Sequence, residues 1–344
     1  MATVTLASLD AALATIFQDK IANQIERSVV LAQLLPVAPG TGKNIQWAVR
    51  TGTATGATIA DGADVTTFNN DTKSAAVLQY GTYHDAFSIT GKAMAAAKAA
   101  ANPAELAALF VDELGDSVER LARKIGADVY TGTGATNIIH GILDPTIPAI
   151  GDVGVYAGID RATTAQWKGN VVDAVLGTLT FSLIRDLRRV IYVASGEKPD
   201  LFICDPVQHE KLGLLYQAER RYVDSVRIRG EKVVLDGGYN VLEFDGVPVI
   251  EDTQHPAQKF TALNTRHVQL AQLADSADAV TRSMGMIGLG GTPEEQYGEN
   301  KTKLNARIQP LAITGDAFKF ALYCYPQLCV KRPNSCGFIT NLAA

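Results

Sequence analysis

The most constraining feature of this 344-residue chain is an uninterrupted helical pattern over residues 102–131. Asn102 can cap it, Pro103 sits at the first helical position, where a missing N–H does no harm, and Glu105 completes a capping box. Leu106, Leu109, Phe110, Leu114, Val118, Leu121, Ile125 and Val129 fall on one stripe, and Gly132 closes the run. At ~1.5 Å per residue this is a rod of roughly 45 Å. Such a rod is long for a rounded domain, so the pattern predicts a flat, extended body.

Residues 41–95 constrain the fold by what they lack. Ile45, Trp47 and Val49 alternate with Gln46, Ala48 and Arg50, a strand pattern. The stretch TGTATGATIADGADVTT follows, rich in Thr, Ala and Gly, and Ser74 to Ile89 reads as extended again. The whole predicts a long hairpin with a soft tip and few large apolar residues. A two-stranded ribbon alone is marginal in water, so it must lie on its own domain or on another chain. So small a core favours another chain. Residues 8–35 read as a helix capped by Ser8, with Leu9, Leu13, Ile16, Phe17, Ile21 and Ile25 at helical spacing and Pro36 and Pro39 as stops. It fits an ordinary first helix as well as an arm that reaches a neighbouring subunit.

From about residue 171 the pattern becomes mixed. Leu179, Leu183, Ile184, Leu187, Val190 and Ile191 mark a helix that Gly196 ends, with Arg185, Arg188 and Arg189 on its outer face. Leu201 to Cys204 reads as a short buried strand, and Asp205, Pro206 and Gln208 start another helix. Val241 to Ile250 reads as a hairpin around Asp245-Gly246, a pair suited to a two-residue turn with positive φ at both positions. Lys259 to Asn264 and His267 to Ala271 add strands. After a soft stretch at 274–300, Lys303 to Ile313 and Ala317 to Val330 read as two long strands joined at Thr314-Gly-Asp316.

Motifs for chemistry are incomplete wherever they begin. Gly40-Thr-Gly-Lys43 lacks the first Gly and the final Ser or Thr of a phosphate loop; Val37 and Asn44 stand there. His209-Glu210 has Gly213 where a zinc helix needs its second His, and Gly132-Thr-Gly134 has Asn137 where a dinucleotide loop needs its third Gly. Ser195-Gly196 lacks the nucleophile elbow and reads as a helix end. His84, His140, His209, His255 and His267 are scattered, with none paired at ligand spacing. Cys204, Cys324, Cys329 and Cys336 form no Cys-x-x-Cys pair and are read as reduced thiols. No catalytic, cofactor-binding or metal residue is therefore expected. The net charge of −5 argues against a basic nucleic-acid grip. The arginines at 185, 188, 189, 220, 221, 227 and 229, interleaved with Asp186, Glu219, Asp224 and Glu231, read as solvated faces and subunit-to-subunit ion pairs rather than a nucleic-acid patch. Residues 1–20 lack the basic start and apolar core of a signal peptide, and no run approaches ~20 apolar residues. A soluble chain made in the cytoplasm is expected.

Several segments resemble the major capsid proteins of tailed bacteriophages. They are Gly158–Trp167, with an Arg before small residues and then a Trp; Leu179–Arg189, continuing through Ala194–Asp205; Glu210–Arg221; Phe244–Asp252 with Leu263–Arg266; and Asp316–Leu328 before Arg332-Pro-Asn334. Their order and spacing fit as a set across most of the chain beyond residue 155. The resemblance implies an α+β fold shared with herpesvirus capsids. It implies an N-terminal arm at 1–40, an extended hairpin or E-loop at 41–95, and a peripheral domain at 96–169 built on a spine helix at 102–131. An axial domain would occupy 170–275, and residues 276–344 would return to the peripheral domain.

The function so implied is structural. Many copies would form the pentamers and hexamers of an icosahedral head around double-stranded DNA, located in the virion and assembled in the host cytoplasm, with no enzymatic activity and no membrane. An acidic lining would repel phosphates and let a genome slide in. Only about 40 residues precede the hairpin, so scaffolding is expected from a separate protein, alongside a portal and a possible decoration protein. Some relatives cross-link Lys to Asn. Lys43 and Lys73 lie near the hairpin, but no motif marks a partner, and that chemistry is not carried over. The alternatives are an encapsulin-like nanocompartment shell of the same fold and, with less support, a cytosolic α/β enzyme.

Overall fold

The computed structural model describes residues 30–40, 42–62, 64, 68, 70–92, 95, 103–216, 225–228, 231–234, 242–273, 306–312 and 315–343. They divide into two compact units. The first lies within Met1–Gly42, Tyr80–Ile139 and Gln269–Leu328, the second within Lys43–Gln79, His140–Val268 and Cys329–Ala344. Most of the expected first helix, the caps at Asn102, the soft stretch from 274 and Arg220, Arg221 and Arg229 lie outside the described residues.

The first unit is organised by the long helix. After a short helix α1 (Val30–Leu34) and strand β1 (Val37–Gly40) of the first unit, β2 (Asn44–Gly52) and β3 (Thr72–Gln79) belong to the second. The first unit resumes with β4 (Tyr83–Thr90) and α2 (Pro103–Thr131), the expected rod. Leu114, Val118, Leu121, Ala122, Ile125 and Val129 are buried along its inner stripe. Gly132 is required at its end, because a Cβ there would lie 2.2 Å from the Ile139 carbonyl oxygen. The helix packs on β4. Asp85 on that strand accepts hydrogen bonds from Ser117 Oγ at 2.6 Å and Arg120 Nη2 at 2.9 Å. The buried Tyr83 hydroxyl donates to Asp128 at 2.8 Å and accepts from the Ile139 amide at 3.0 Å.

The extended run read from Ser74 to Ile89 is two strands with different partners. β3 pairs with β2, whereas β4 pairs along its length with β16 (Ala317–Cys324), which also holds β15 (Arg307–Pro310). Phe87 lies opposite Phe320 in that register, with ring centroids 5.4 Å apart. The change of partner falls at Tyr80-Gly81-Thr82, where the Gly81 amide donates to Pro326 O and the Thr82 amide to Asn137 O, both at 2.9 Å. Alternation cannot reveal such a switch, since both strands keep a period of two.

The second unit is a six-stranded sheet with two helices. The intervening elements are β5 (Val155–Tyr156), β6 (Ile159–Asp160), β7 (Asn170–Asp173), α3 (Phe181–Ser195), β8 (Leu201–Cys204) and α4 (Pro206–Leu215). Next come β9 (Ser225–Ile228), β10 (Glu231–Val234), β11 (Leu242–Phe244), β12 (Val247–Glu251) and β13 (Phe260–Leu263), then β14 (Val268–Leu273), which from Gln269 on belongs to the first unit. β17 (Pro326–Val330), whose first three residues belong to the first unit, and β18 (Gly337–Thr340) complete the chain. The large sheet runs β11-β12-β8-β13-β18-β7, with β12/β8 and β18/β7 parallel. Its first hairpin turns at Asp245-Gly246, with φ of 50° and 79°, the geometry that pair favours. Thr180 Oγ1 caps α3 at the Leu183 amide, and Gly196 ends the helix in the left-handed region at φ 74°. Ile184, Leu187 and Ile191 of α3 and Leu212 of α4 share a core with Phe202, Phe244, Val249 and Phe260 of the sheet.

Candidate assembly site

The β2–β3 hairpin has almost no interior of its own. Of its strand residues only Ala76 and Leu78 are buried. Strand pairing ends at Gly52–Thr72, with an irregularity at Arg50/Gly52. The far end is held by polar contacts: Arg50 Nε to Asp71 at 3.1 Å, the Ala54 amide to Asp71 at 2.8 Å, and Thr51 Oγ1 against Ser74 Oγ at 3.2 Å. Beyond it, Ile59 is 54% and Phe68 82% exposed. Between Arg50 and Lys73 the charged residues are Asp61, Asp64 and Asp71, all acidic. By composition this stretch is weakly acidic and partly apolar.

The hairpin base is anchored within the second unit. The Val77 amide donates to Ala157 O at 2.9 Å, and the Trp47 and Trp167 rings lie 6.4 Å apart. Trp167 ends the segment that begins at Gly158, and Arg161 at its centre is fully buried. Its guanidinium donates to four backbone carbonyls: Ala149 at 2.6 Å, Pro148 at 2.8 Å, Val153 at 3.0 Å and Trp167 at 3.3 Å. It also lies over the Tyr156 ring, 5.2 Å from the centroid. Burial lowers its pKa to about 10, opposed by Tyr156 and Asp152, so the cation persists at neutral pH, solvated by carbonyl dipoles. The Trp167 indole donates to Tyr156 O at 3.0 Å, and Tyr156 Oη accepts from the Val330 amide at 2.9 Å. Gly169 completes the segment, since a Cβ there would lie 1.8 Å from Ile150 O. The sequence singled out this segment but not Arg161 as its hub; the available signal was one Arg among small residues ahead of a Trp.

Three further segments of the resemblance meet around Glu197. Its carboxylate accepts Asn264 Nδ2 and His267 Nε2 at 2.8 Å each, and Arg332 Nη1 at 2.6 Å. Arg332 Nη2 reaches Ser195 O at 2.6 Å. Burial works to raise the Glu197 pKa, but the His267 hydrogen bond and charge and the Arg332 charge hold it below the usual carboxylate range. Asp200 nearby accepts the Thr265 amide and hydroxyl at 2.8 and 2.7 Å. Segments more than sixty residues apart in the chain thus meet at one carboxylate.

His255 is buried, with Nδ1 3.0 Å from Pro256 O and Nε2 2.8 Å from Thr261 Oγ1. Burial lowers its pKa from 6.5 to about 3, opposed by Pro256 and aided by the Lys259 charge. The unfolded chain binds this proton below pH 6.5 and the folded chain does not until about 3. This group therefore stabilises the fold above 6.5, and the stabilisation is lost as pH falls from there towards 3. Between about pH 7.5 and 5 the loss is on the order of 2 kcal/mol. Denaturant midpoints at the two pH values check this: His255→Gln should be less acid-sensitive by that amount, and equal acid sensitivity would contradict it.

The motifs that began like chemistry have structural reasons. Gly40 leaves room for the Tyr80 hydroxyl, 2.0 Å from where its Cβ would be. Ser195 Oγ donates to Ile191 O at 2.8 Å and accepts from the Glu197 amide at 3.0 Å, as a helix end does. His209 is buried on α4, with Nδ1 3.4 Å from Glu251. The other described histidines sit apart from it: His84 stacks with Tyr323, and His140 lies on Ile147 O at 2.7 Å. No group of three or more His, Cys, Asp or Glu able to hold a metal occurs among the described residues. Arg188 pairs with Asp245 at 2.7 Å, Arg189 with Asp186 at 3.1 Å, and Arg185 lies 5.9 Å from the Phe244 ring centroid. The partners seen for these three arginines thus lie within the chain, where the sequence suggested ion pairs between subunits. All four cysteines are buried and none forms a disulfide. No helix among the described residues is long and apolar enough to cross a membrane.

No protein-family model matches the chain, and no curated protein matches it in sequence. Solved structures match it in fold. A capsid asymmetric unit of cyanophage A-1(L) superposes with a TM-score of 0.67 at 18% identity, over 92% of this chain and 93% of that one. A structure from Mycobacterium phage Patience gives 0.53 at 14% identity, over 98% and 88%. The SrpI encapsulin in its holo complex from Synechococcus elongatus PCC 7942 gives 0.52 at 14% identity, over 100% and 97%. The α+β fold of this chain is that of tailed-phage major capsid proteins.

Proposed function

We propose that this chain, whose fold is the one tailed phages use for their capsids, is a major capsid protein that assembles into the icosahedral head enclosing double-stranded DNA. The observation that carries the reading is the likeness to the cyanophage capsid, which spans more than nine tenths of both chains at a TM-score of 0.67. In this reading residues 1–40 are the arm and 41–95 the E-loop region. Residues 96–169 with the spine helix form the peripheral domain, 170–275 the axial domain, and 276–344 its return strands.

The mechanism is assembly. The core-poor hairpin and its exposed Ile59 and Phe68 gain burial only against another copy. At ~25 cal/mol per Å² an interface of ordinary size, about 1,600 Å², has ample gross driving force even after association costs. The net charge of −5 suits a wall that holds DNA without gripping it. Scaffolding, portal and decoration proteins are the partners expected, the shell itself does no catalysis, and its place is the virion, after assembly in the host cytoplasm.

A nanocompartment shell is the second reading, supported by the encapsulin likeness over 100% and 97% of the two chains. Electron microscopy of the expressed chain, with and without a scaffolding partner, tests the proposal. Closed shells that take up DNA are the expected result. Shells filled with a cargo enzyme would favour the second reading, and a chain that stays monomeric in every condition while turning over a metabolite would sink both.

A further inference from the structure

The solvent side of α3 is basic and apolar at once. Arg185, Arg189, Tyr192 and Val193 follow one another at spacings of three and four residues, opposite the core positions Ile184, Leu187 and Ile191. Tyr192 is 51% and Val193 79% exposed. Cations flank this pair. Lys198, just past the helix, holds its Nζ 5.7 Å from the Tyr192 ring centroid, and Arg185 lies over Phe244. Neither Arg185 nor Lys198 forms an ion pair among the described residues. Asp186 offsets Arg189, and Glu197 is already engaged by His267 and Arg332, so the face keeps a positive balance.

The stretch between β2 and β3 has the same make-up with the opposite sign. Its exposed Ile59 and Phe68 are accompanied by Asp61 and Asp64, which are exposed and form no ion pair among the described residues. No Lys or Arg lies between Arg50 and Lys73 to balance them. The large apolar side chains on both surfaces are at least half exposed, so within one copy neither surface covers the other. Stretch against stretch would set acid on acid, and α3 against α3 would set cation on cation, each at a cost that opposite signs avoid. The pairing that satisfies both charge and apolar area is the β2–β3 stretch of one copy on the α3 face of another.

We infer that the α3 face receives the β2–β3 stretch of a second copy of the chain, Ile59 and Phe68 covering Tyr192 and Val193 while Asp61 and Asp64 approach Arg185 and Lys198. The inference rests on the shell reading and names the surface on which the hairpin closes. The apolar side chains supply burial, and the charges at their rim set which surfaces meet and in what orientation. A contact that joins two different surfaces of one chain is heterologous, and it builds a ring where the rotation between copies closes.

A charge swap in the full chain tests the pairing. Arg185→Glu with Lys198→Glu should raise the concentration needed for assembly by about tenfold or more. Adding Asp61→Lys and Asp64→Lys to that chain should restore it. Restoring the net charge instead at the exposed Asp116 and Glu119 of α2, by changing both to Lys, should not; equal rescue there would overturn the contact. A second measurement holds even if a charge variant folds poorly. Shells are assembled from equal parts of a Phe68→Cys chain and a Val193→Cys chain, the native cysteines being buried, and oxidised mildly. Disulfide-linked pairs joining one chain of each kind are expected. Shells that yield no linked pairs would overturn the inference. So would pairs formed in shells of the Phe68→Cys chain alone, or an α3 thiol shielded only when a different protein is added. Each of these results strikes this contact while shells still form, whereas a wild-type chain that never assembles would overturn the shell reading with it.

Discussion

Arg161→Met is expected to destabilise the dispersed subunit by about 3–5 kcal/mol, a large part of the stability of an ordinary domain. The substitution keeps the apolar stem and removes the donors. The carbonyls of Ala149, Val153 and Trp167 then lose the donor that reaches them, while Pro148 O keeps the Gly151 amide at 2.9 Å. Each such orphan costs about 1–3 kcal/mol before relaxation, and relaxation limits the total. Arg161→Lys should recover only part of the loss, because one ammonium cannot span acceptors that a planar fork reaches together. Urea unfolding of the dispersed variant checks this. A loss below about 1 kcal/mol would mean that Arg161 is ornamental and that the loop supporting Trp167, and through it Trp47 of the hairpin, is held by other means.

Replacing residues 53–71 by Asn-Gly is expected to do the reverse: leave the subunit folded and abolish its assembly. The paired register closes at Gly52–Thr72, where a two-residue turn can join the strands. The anchors at Trp47 and Val77 remain, so subunit stability should change by no more than about 1 kcal/mol. Removal of Ile59 and Phe68 takes away side chains worth about 1.5–3 kcal/mol each when buried against a neighbour. Every copy in a shell would lose them, so assembly should fail at concentrations where the wild type closes particles. Sedimentation and melting of the same sample separate the outcomes. A subunit that unfolds would place the tip in its own core, and one that assembles normally would remove the hairpin from the interface.

Local patterns were legible residue by residue. The stripe from Leu106 to Val129 with Gly132 behind it foretold α2, and Asp245-Gly246 foretold its hairpin. Gly196 ends α3 as the sequence suggested, though its cap Thr180 was not singled out, and Asp205-Pro206 opened α4. Each is a short-range rule that depends on residue types a few positions apart, so it can be read without knowing what lies across the fold. The hairpin's poverty of core residues was legible for the same reason, since it is a property of composition.

Pairing and burial at long range were not. Whether Ser74–Ile89 is one strand or two turns on which strand lies beside Tyr83, and that partner is β16, more than two hundred residues on in the sequence. The roles of Arg161 and Glu197 were equally hidden, because a charged side chain looks the same in a sequence whether it faces water or ties three segments together. Backbone strain at Val175–Leu176, where φ is 50° and 61°, left no mark at all, as neither residue type points to the left-handed region. Side-chain period, turn chemistry and composition were set by neighbours along the chain. Strand partners, buried charges and the strained turn were chosen by contacts between segments far apart in sequence, whose free energy exists only once the chain has closed upon itself.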